Sequence, residues 1–247
     1  MIENRRAILK WFGSVGLATL FAGRGLAATD HPWKLSTFQL DVTPPVGHPL
    51  LGNQFAPSKG VLDPLEARGL VLTGPDQPLV LISIDWCELR NDAFECWRNV
   101  LAEAAGTTPQ RVLVHTVHQH DAPYFDLTAQ KLLQASKPGG RMLDLEFHEQ
   151  CVQRAAEALK ASLAKGTTVT HLGLGQAKVE QIASSRRVDE DGKVSHRRYS
   201  RCGEPALRAL PDGEIDPWLK TISFWNGDQP LVALSVYACH PMSYYGG

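Results

Sequence analysis

An α/β fold, with a mixed sheet around a parallel β-α-β core flanked by helices and a metal site at the strand carboxyl ends, is predicted by three features of this 247-residue sequence. Residues 79–84 and 111–117 are near-continuous apolar runs, the pattern of strands buried on both faces. Between them, residues 91–105 place Phe94, Trp97, Leu101 and Ala105 at spacings of three or four and close on Gly106, as an amphipathic helix does. Strand, helix and strand within roughly 40 residues make a parallel crossover unit. Both strands then end at the same edge of the sheet. Asp85 follows the first and His118-Gln119-His120 the second, at the edge where open parallel sheets hold ligands.

The other elements follow in chain order. Arg5-Arg6, an apolar run over residues 11–22, and Gly25-Leu26-Ala27 before Ala28 make residues 1–28 read as a twin-arginine-like export signal. Gly13, Gly16 and Gly23 interrupt its apolar stretch, which is short beside the about 20 residues of a membrane span. An uncleaved anchor or membrane helix is the alternative. The expectation is an exported protein, periplasmic or secreted, with a domain over residues 29–247. Residues 34–43 alternate and run into Pro44-Pro45, a strand ended by proline, and a Gly/Pro-rich loop leads to Gly60. Apolar content returns over residues 65–72 before the turn Gly74-Pro75-Asp76. Beyond the core unit, residues 145–165 form a long amphipathic helix ending at Gly166, and residues 168–179 a strand. Residues 183–215 are polar and turn-rich. Strands resume at 219–225 and 231–238 around the hairpin turn Asn226-Gly227-Asp228, and the second leads into Cys239-His240-Pro241.

Composition narrows the function classes. Lys plus Arg total 25 against 26 acidic residues, so the net charge of -1 supplies no electrostatic reason to expect nucleic acid. With 43% hydrophobic residues and 21 glycines and 16 prolines spread without repeats, the chain has the makings of an ordinary globular core. Five cysteines, Cys87, Cys96, Cys151, Cys202 and Cys239, contain no C-x-x-C pair, which argues against a cysteine-only zinc site and assigns no disulfide.

If the strand continues through His118 and His120, both imidazoles leave one face and converge on a single ion. Imidazole suits zinc, and catalytic zinc sites keep a position open for water. His240 stands in the equivalent place after another apolar strand, also followed by proline. Surface-loop or core histidines give the same pattern. His115, offset by three from His118, should face away from the site. Asp85 is placed either to orient a ligand's second ring nitrogen or to cap the following helix. Arg186 and Arg187 could clamp a substrate oxygen or simply form a solvated face. His31, His48, His148, His171 and His196 show no clustering.

Assembled in order, these residues resemble the amino-terminal catalytic domain of the neutral/alkaline, non-lysosomal ceramidases and their bacterial relatives. The landmarks are Asp41-Val42-Thr43-Pro44-Pro45 with Gly47, then Gly60-Val61-Leu62-Asp63-Pro64-Leu65-Glu66-Ala67-Arg68, and the strand ending at Asp85. Val114-His115-Thr116-Val117-His118-Gln119-His120-Asp121-Ala122-Pro123, Asp216-Pro217 and Ala238-Cys239-His240-Pro241-Met242-Ser243 complete the set, which spans residues 36–243. The resemblance implies a zinc-dependent amidase cleaving an N-acyl bond of a small lipid, with peripheral contact to membrane lipid. It implies His118 and His240 as metal ligands, His120 as an active-site residue beside the metal or the scissile amide, and Arg186 or Arg187 as a catalytic arginine. Gln119-His120-Asp121-Ala122-Pro123 replaces the family's Thr-His-Ser-Gly-Pro, which points to a divergent branch with its own substrate. The family also brings a glutamate and a tyrosine to the zinc, and a serine near it, from segments past the match to residue 243. The expectation is therefore a front portion of a longer protein. Two other readings stay open: an exported, non-catalytic domain binding lipid or a partner, and a metal-dependent esterase or phosphoesterase.

Overall fold

The structure, a computed structural model, describes residues 32–137, 139–191, 193–199 and 202–240. The expected export signal, His31 and the segment after His240 lie outside these residues. Among the described residues no helix is long and apolar enough to cross a membrane.

In chain order the first elements are strands β1 (Lys34–Asp41), β2 (Glu66–Thr73), β3 (Leu79–Ile84) and β4 (Glu88–Arg90), then helix α1 (Asn91–Ala105). Strands β5 (Val112–Thr116) and β6 (Tyr124–Asp126) precede helices α2 (Leu127–Ala135) and α3 (Leu145–Leu163). After strands β7 (Thr167–Thr168) and β8 (His171–Lys178) come β9 (Arg187–Glu190), β10 (Lys193–Arg197), the short helix α4 (Pro205–Arg208), β11 (Trp218–Asn226) and β12 (Gln229–Val236). The predicted crossover is present: β3 pairs in parallel with β5, Val80 facing Val112 and Ile84 facing Thr116, and α1 connects them. Gly106 ends α1 in the left-handed conformation that glycine adopts without a Cβ clash. The full sheet, ordered β5-β3-β2-β1-β7, is mixed because its other pairs are antiparallel.

Alternation divides this sheet into two faces. Phe38, Ala67, Val71, Val80, Ile82, Ile84, Val112 and Val114 turn inward under α1 and α3 and form the main core. Phe38 lies over Gly69 on β2, where even a Cβ would collide with its ring. The opposite face offers Leu35, Leu70, Leu72 and Leu81, which meet Phe224, Leu231 and Val232 of a second sheet, β12-β11-β8. That second layer is thin, and Leu172, Leu174, Ile222 and Val236 remain exposed. The apolar run before His240 is thus a half-exposed hairpin strand, not the buried strand its composition suggests. Its two-residue turn, Gly227-Asp228, is where the sequence puts it.

Beyond the main sheet the two parallel strands separate and pair again. Ile84 faces Thr116, and four residues later Glu88 faces Tyr124, eight residues past Thr116. The β5 branch must therefore extrude four extra residues between ladders, and these belong to the segment holding His118 and His120. Trp86 fills the space beneath them. It is fully buried, donates its indole N–H to Val42 O at 2.9 Å, and packs edge-on to Trp97 and at 4.5 Å from Phe125. Asp126 caps α2 through Ala129 N and accepts from Asn91, tying the new ladder to both helices. Neither α2 nor the β4-β6 ladder was expected, because each is too short to show a period.

Two outcomes follow for stability. Trp86→Ala should cost about 3–5 kcal/mol, read as a loss in the denaturant midpoint, through cavity formation and an orphaned carbonyl at Val42. His148, buried against Trp86, Trp97 and Phe125, is held by burial at about 4, below the ordinary 6.5. Below pH 6.5 the unfolded chain takes up this proton before the folded one. Stability should fall between pH 6.5 and about 4 by on the order of 3 kcal/mol, and His148→Met should flatten that part of the pH profile.

Candidate metal centre

Three histidine rings converge beyond the carboxyl end of β5. His118 and His120 have centroids 4.7 Å apart, His118 and His240 4.9 Å, and His120 and His240 4.8 Å, each pair near perpendicular. The His118 and His120 Nε2 atoms face each other at 3.1 Å. Two nitrogens in a tetrahedral zinc shell would stand about 3.3 Å apart, from the usual bond length. The donor set and its spacing therefore suit a shared ion.

The convergence does not arise as the H-x-H spacing suggests. Strand β5 stops at Thr116, and His118 sits in the left-handed region at φ 63, a conformation that costs a side-chain-bearing residue on the order of 1 kcal/mol. Two backbone bonds impose it: Val117 N donates to Ile84 O at 3.1 Å and His118 N to Trp86 O at 3.2 Å. The chain is thus pinned on both sides of the kink. From the far side, the turn Leu51–Asn53 closes over the loop, with Leu51 N donating to Ala122 O and the Phe55 ring 6.0 Å from that of His120.

Cys87 adds a thiol to this group, its ligand atom lying with those of His118 and His120 within 4.8 Å of one another. The Sγ is 3.5 Å from His118 Nδ1, on the opposite side of the ring from His120. An imidazole binds one ion through one nitrogen. Nδ1 also lies 3.3 Å from the Cys87 carbonyl oxygen, which can only accept, so this contact favours the proton on Nδ1 and the lone pair on Nε2. Burial, helped by the charge of Glu88, pushes the Cys87 thiol up to about 12. It is a neutral wall of the site, and the three histidines form the better donor set.

Two of the imidazoles, His120 and His240, are biased towards the neutral form. Burial lowers His120, with further contributions from His118 and Arg186. His240, although its outer edge is exposed, falls to about 4 through desolvation first and then the positive charge of Arg186. Neutral imidazole is the form that binds a metal.

Of the two candidate arginines, Arg186 is brought to the site. It acts electrostatically on His120 and His240 and lines, with His240 and Tyr199, a cavity of about 640 Å³. Arg187 begins β9, opposite Arg197, and is absent from that cavity's walls. Arg198, to which the sequence assigned no role, positions the segment. Buried at 7% exposure, it donates to the carbonyls of Ser185, Leu207, Leu210 and Pro211, and its own N–H bonds Arg186 O at 2.7 Å.

Asp85 takes neither expected role: its carboxylate accepts from Glu66 N at 2.9 Å and ties the end of β3 to the start of β2. The carboxylate that does reach the histidine cluster is Glu88, 3.5 Å from His118 Nδ1. Its place three residues beyond Asp85 carried no distinguishing signal. His115 is exposed on the outer face of β5, away from the site, as its offset predicts.

Comparison with protein-family models and with curated proteins finds no match. Among solved structures, neutral ceramidase from Pseudomonas aeruginosa aligns with a TM-score of 0.61 and 17% identity over 88% of this chain and 33% of that one. A ceramidase complexed with C2 aligns at 0.57 and 18% identity, over 85% of this chain and 32% of that one. The chain has the fold of the neutral ceramidases over about a third of their length.

The burial of the thiols is open to a direct check. In the folded protein at pH 8, iodoacetamide should label Cys202 and Cys239 while leaving Cys87 and Cys151 unmodified, as read by peptide mass spectrometry. Early labelling of Cys87 would contradict its place in the wall.

Proposed function

We propose that the protein is an exported zinc-dependent amidase that cleaves the N-acyl bond of a ceramide-like lipid. The observation that carries this reading is the meeting of three imidazoles from two separate segments, His118 and His120 on one and His240 on the other, within a ceramidase fold.

In this reading His118 and His240 hold the ion, and His120 lies against it or against the scissile amide. The chemistry the ion supplies when bound is to polarise the amide carbonyl and to bring the pKa of an attacking water down to about 7. Arg186 approaches from the cavity side and pairs with a substrate oxygen, a task suited to a permanently charged, planar donor. The Phe55 ring, 6.0 Å from that of His120, supplies an apolar neighbour to it. Arg198 keeps Arg186 in place through its main-chain hydrogen bonds. Exposed Val61 and Leu62, beside the cavity reaching Gln119 and Asp121, favour a lipid substrate over a soluble amide and would make its contact with membrane lipid peripheral.

Purified protein should contain one zinc per chain and release fatty acid from an N-acyl substrate panel. His118→Ala and His240→Ala should lose zinc and activity together, and normal zinc content in either variant would overturn the ligand assignment. Arg186→Ala should lower kcat/KM by about tenfold or more while Arg187→Ala stays within about twofold. Hydrolysis of esters alone, with amides untouched, would move the reading to an esterase.

A further inference from the structure

We infer that Glu88 is a positioning residue for the metal centre: its carboxylate sets the ring orientation and donor strength of His118. This rests on the proposal that His118 is a ligand. The two carboxylate oxygens are divided between two tasks. Oε2 is engaged by Arg90 Nε, whose guanidinium also lies over the Tyr124 ring at 5.6 Å. Oε1 is directed at His118 Nδ1, 3.5 Å away. Arg90 therefore holds one end of the carboxylate while the other faces the imidazole.

The backbone accounts for this arrangement. Glu88 opens β4, which is fixed to β6 by the pairs Glu88 with Tyr124 and Arg90 with Asp126. The Glu88 side chain is largely buried at 22% exposure, while Arg90 is exposed at 57%. The carboxylate is thus embedded between the ladder and the histidines. On His118, Nδ1 faces Glu88 and the Cys87 carbonyl, and Nε2 faces His120. The Cys87 thiol also lies 3.5 Å from Nδ1, but the carboxylate and the carbonyl beside it can only accept hydrogen bonds, so these two favour the proton there and leave the Nε2 lone pair for an ion. A nearby carboxylate also makes the imidazole a stronger donor, and removing such a partner typically weakens metal binding by about 10–100-fold.

The test measures zinc affinity of the full-length protein by competition with a chromophoric chelator, alongside the thermal midpoint of the metal-free form. Glu88→Gln keeps the shape of the side chain and removes its charge. It should bind zinc at least about tenfold more weakly, with Glu88→Ala towards the 100-fold end of that range, while the metal-free midpoint changes little. Asp92→Asn serves as control, because Asp92 is an exposed carboxylate near the same ladder that pairs with Lys131 rather than with a histidine. It should stay within about twofold of the parent. Unchanged affinity in Glu88→Gln overturns the inference and leaves the zinc assignment standing. An equal loss in Asp92→Asn also overturns it, by making the effect one of general charge. If Glu88→Ala does not fold, Glu88→Gln decides. Absence of zinc from the parent protein overturns both this inference and the proposed function.

Discussion

The site depends on a mismatch in length between two parallel strands. Strands β3 and β5 are in register in the main sheet, and their continuations β4 and β6 are in register again beyond it, yet one connection is four residues longer than the other. A ladder cannot absorb the difference within itself, because a shift by one residue would turn every inward side chain outward. The excess is forced out at the gap. Trp86, buried below and bonded to Val42, prevents the extruded chain from collapsing into the core, and its carbonyl holds the His118 N–H. The strained backbone at His118 is offset by the packing on either side of it.

Electrostatics adds a second constraint. Three imidazoles face a common point, with His120 and His240 biased towards the neutral form, an arrangement that a cation satisfies better than the rings satisfy one another. Arg186 stands close enough to oppose a lone cation there. Its presence suits a centre where the ion's charge is shared with an anionic or strongly polarised oxygen. Arg198, with four main-chain carbonyl partners, fixes the segment that delivers this charge.

Much of this was legible in the sequence, and for identifiable reasons. The core strands and α1 declared themselves because burial on both faces demands continuous apolar residues and the helix carries a clear period. His118 and His240 stood out because each follows an apolar run and is trailed by proline. The details that build the site were hidden. A β-ladder of three residues, such as β4, is too short to alternate visibly, so Glu88 could not be assigned a direction. Asp85 looked equally suited to a ligand partner because sequence spacing does not reveal that Glu66 N lies beside it. Arg186 and Arg187 are adjacent, and only the hairpin register separates their directions. The assumption that β5 ran on through the histidines failed because a single left-handed residue leaves no periodic trace.

The extruded segment between Thr116 and Tyr124 is anchored at both ends by ladders that do not depend on its internal sequence. It behaves as a replaceable cassette set into a fixed frame. A different ligand set, a longer rim or a different polarity could be installed there by exchanging a handful of residues while the helices and sheet keep their packing. Such a scaffold lets chemistry diversify faster than architecture, which fits a chain whose backbone aligns with ceramidases while fewer than one residue in five is shared.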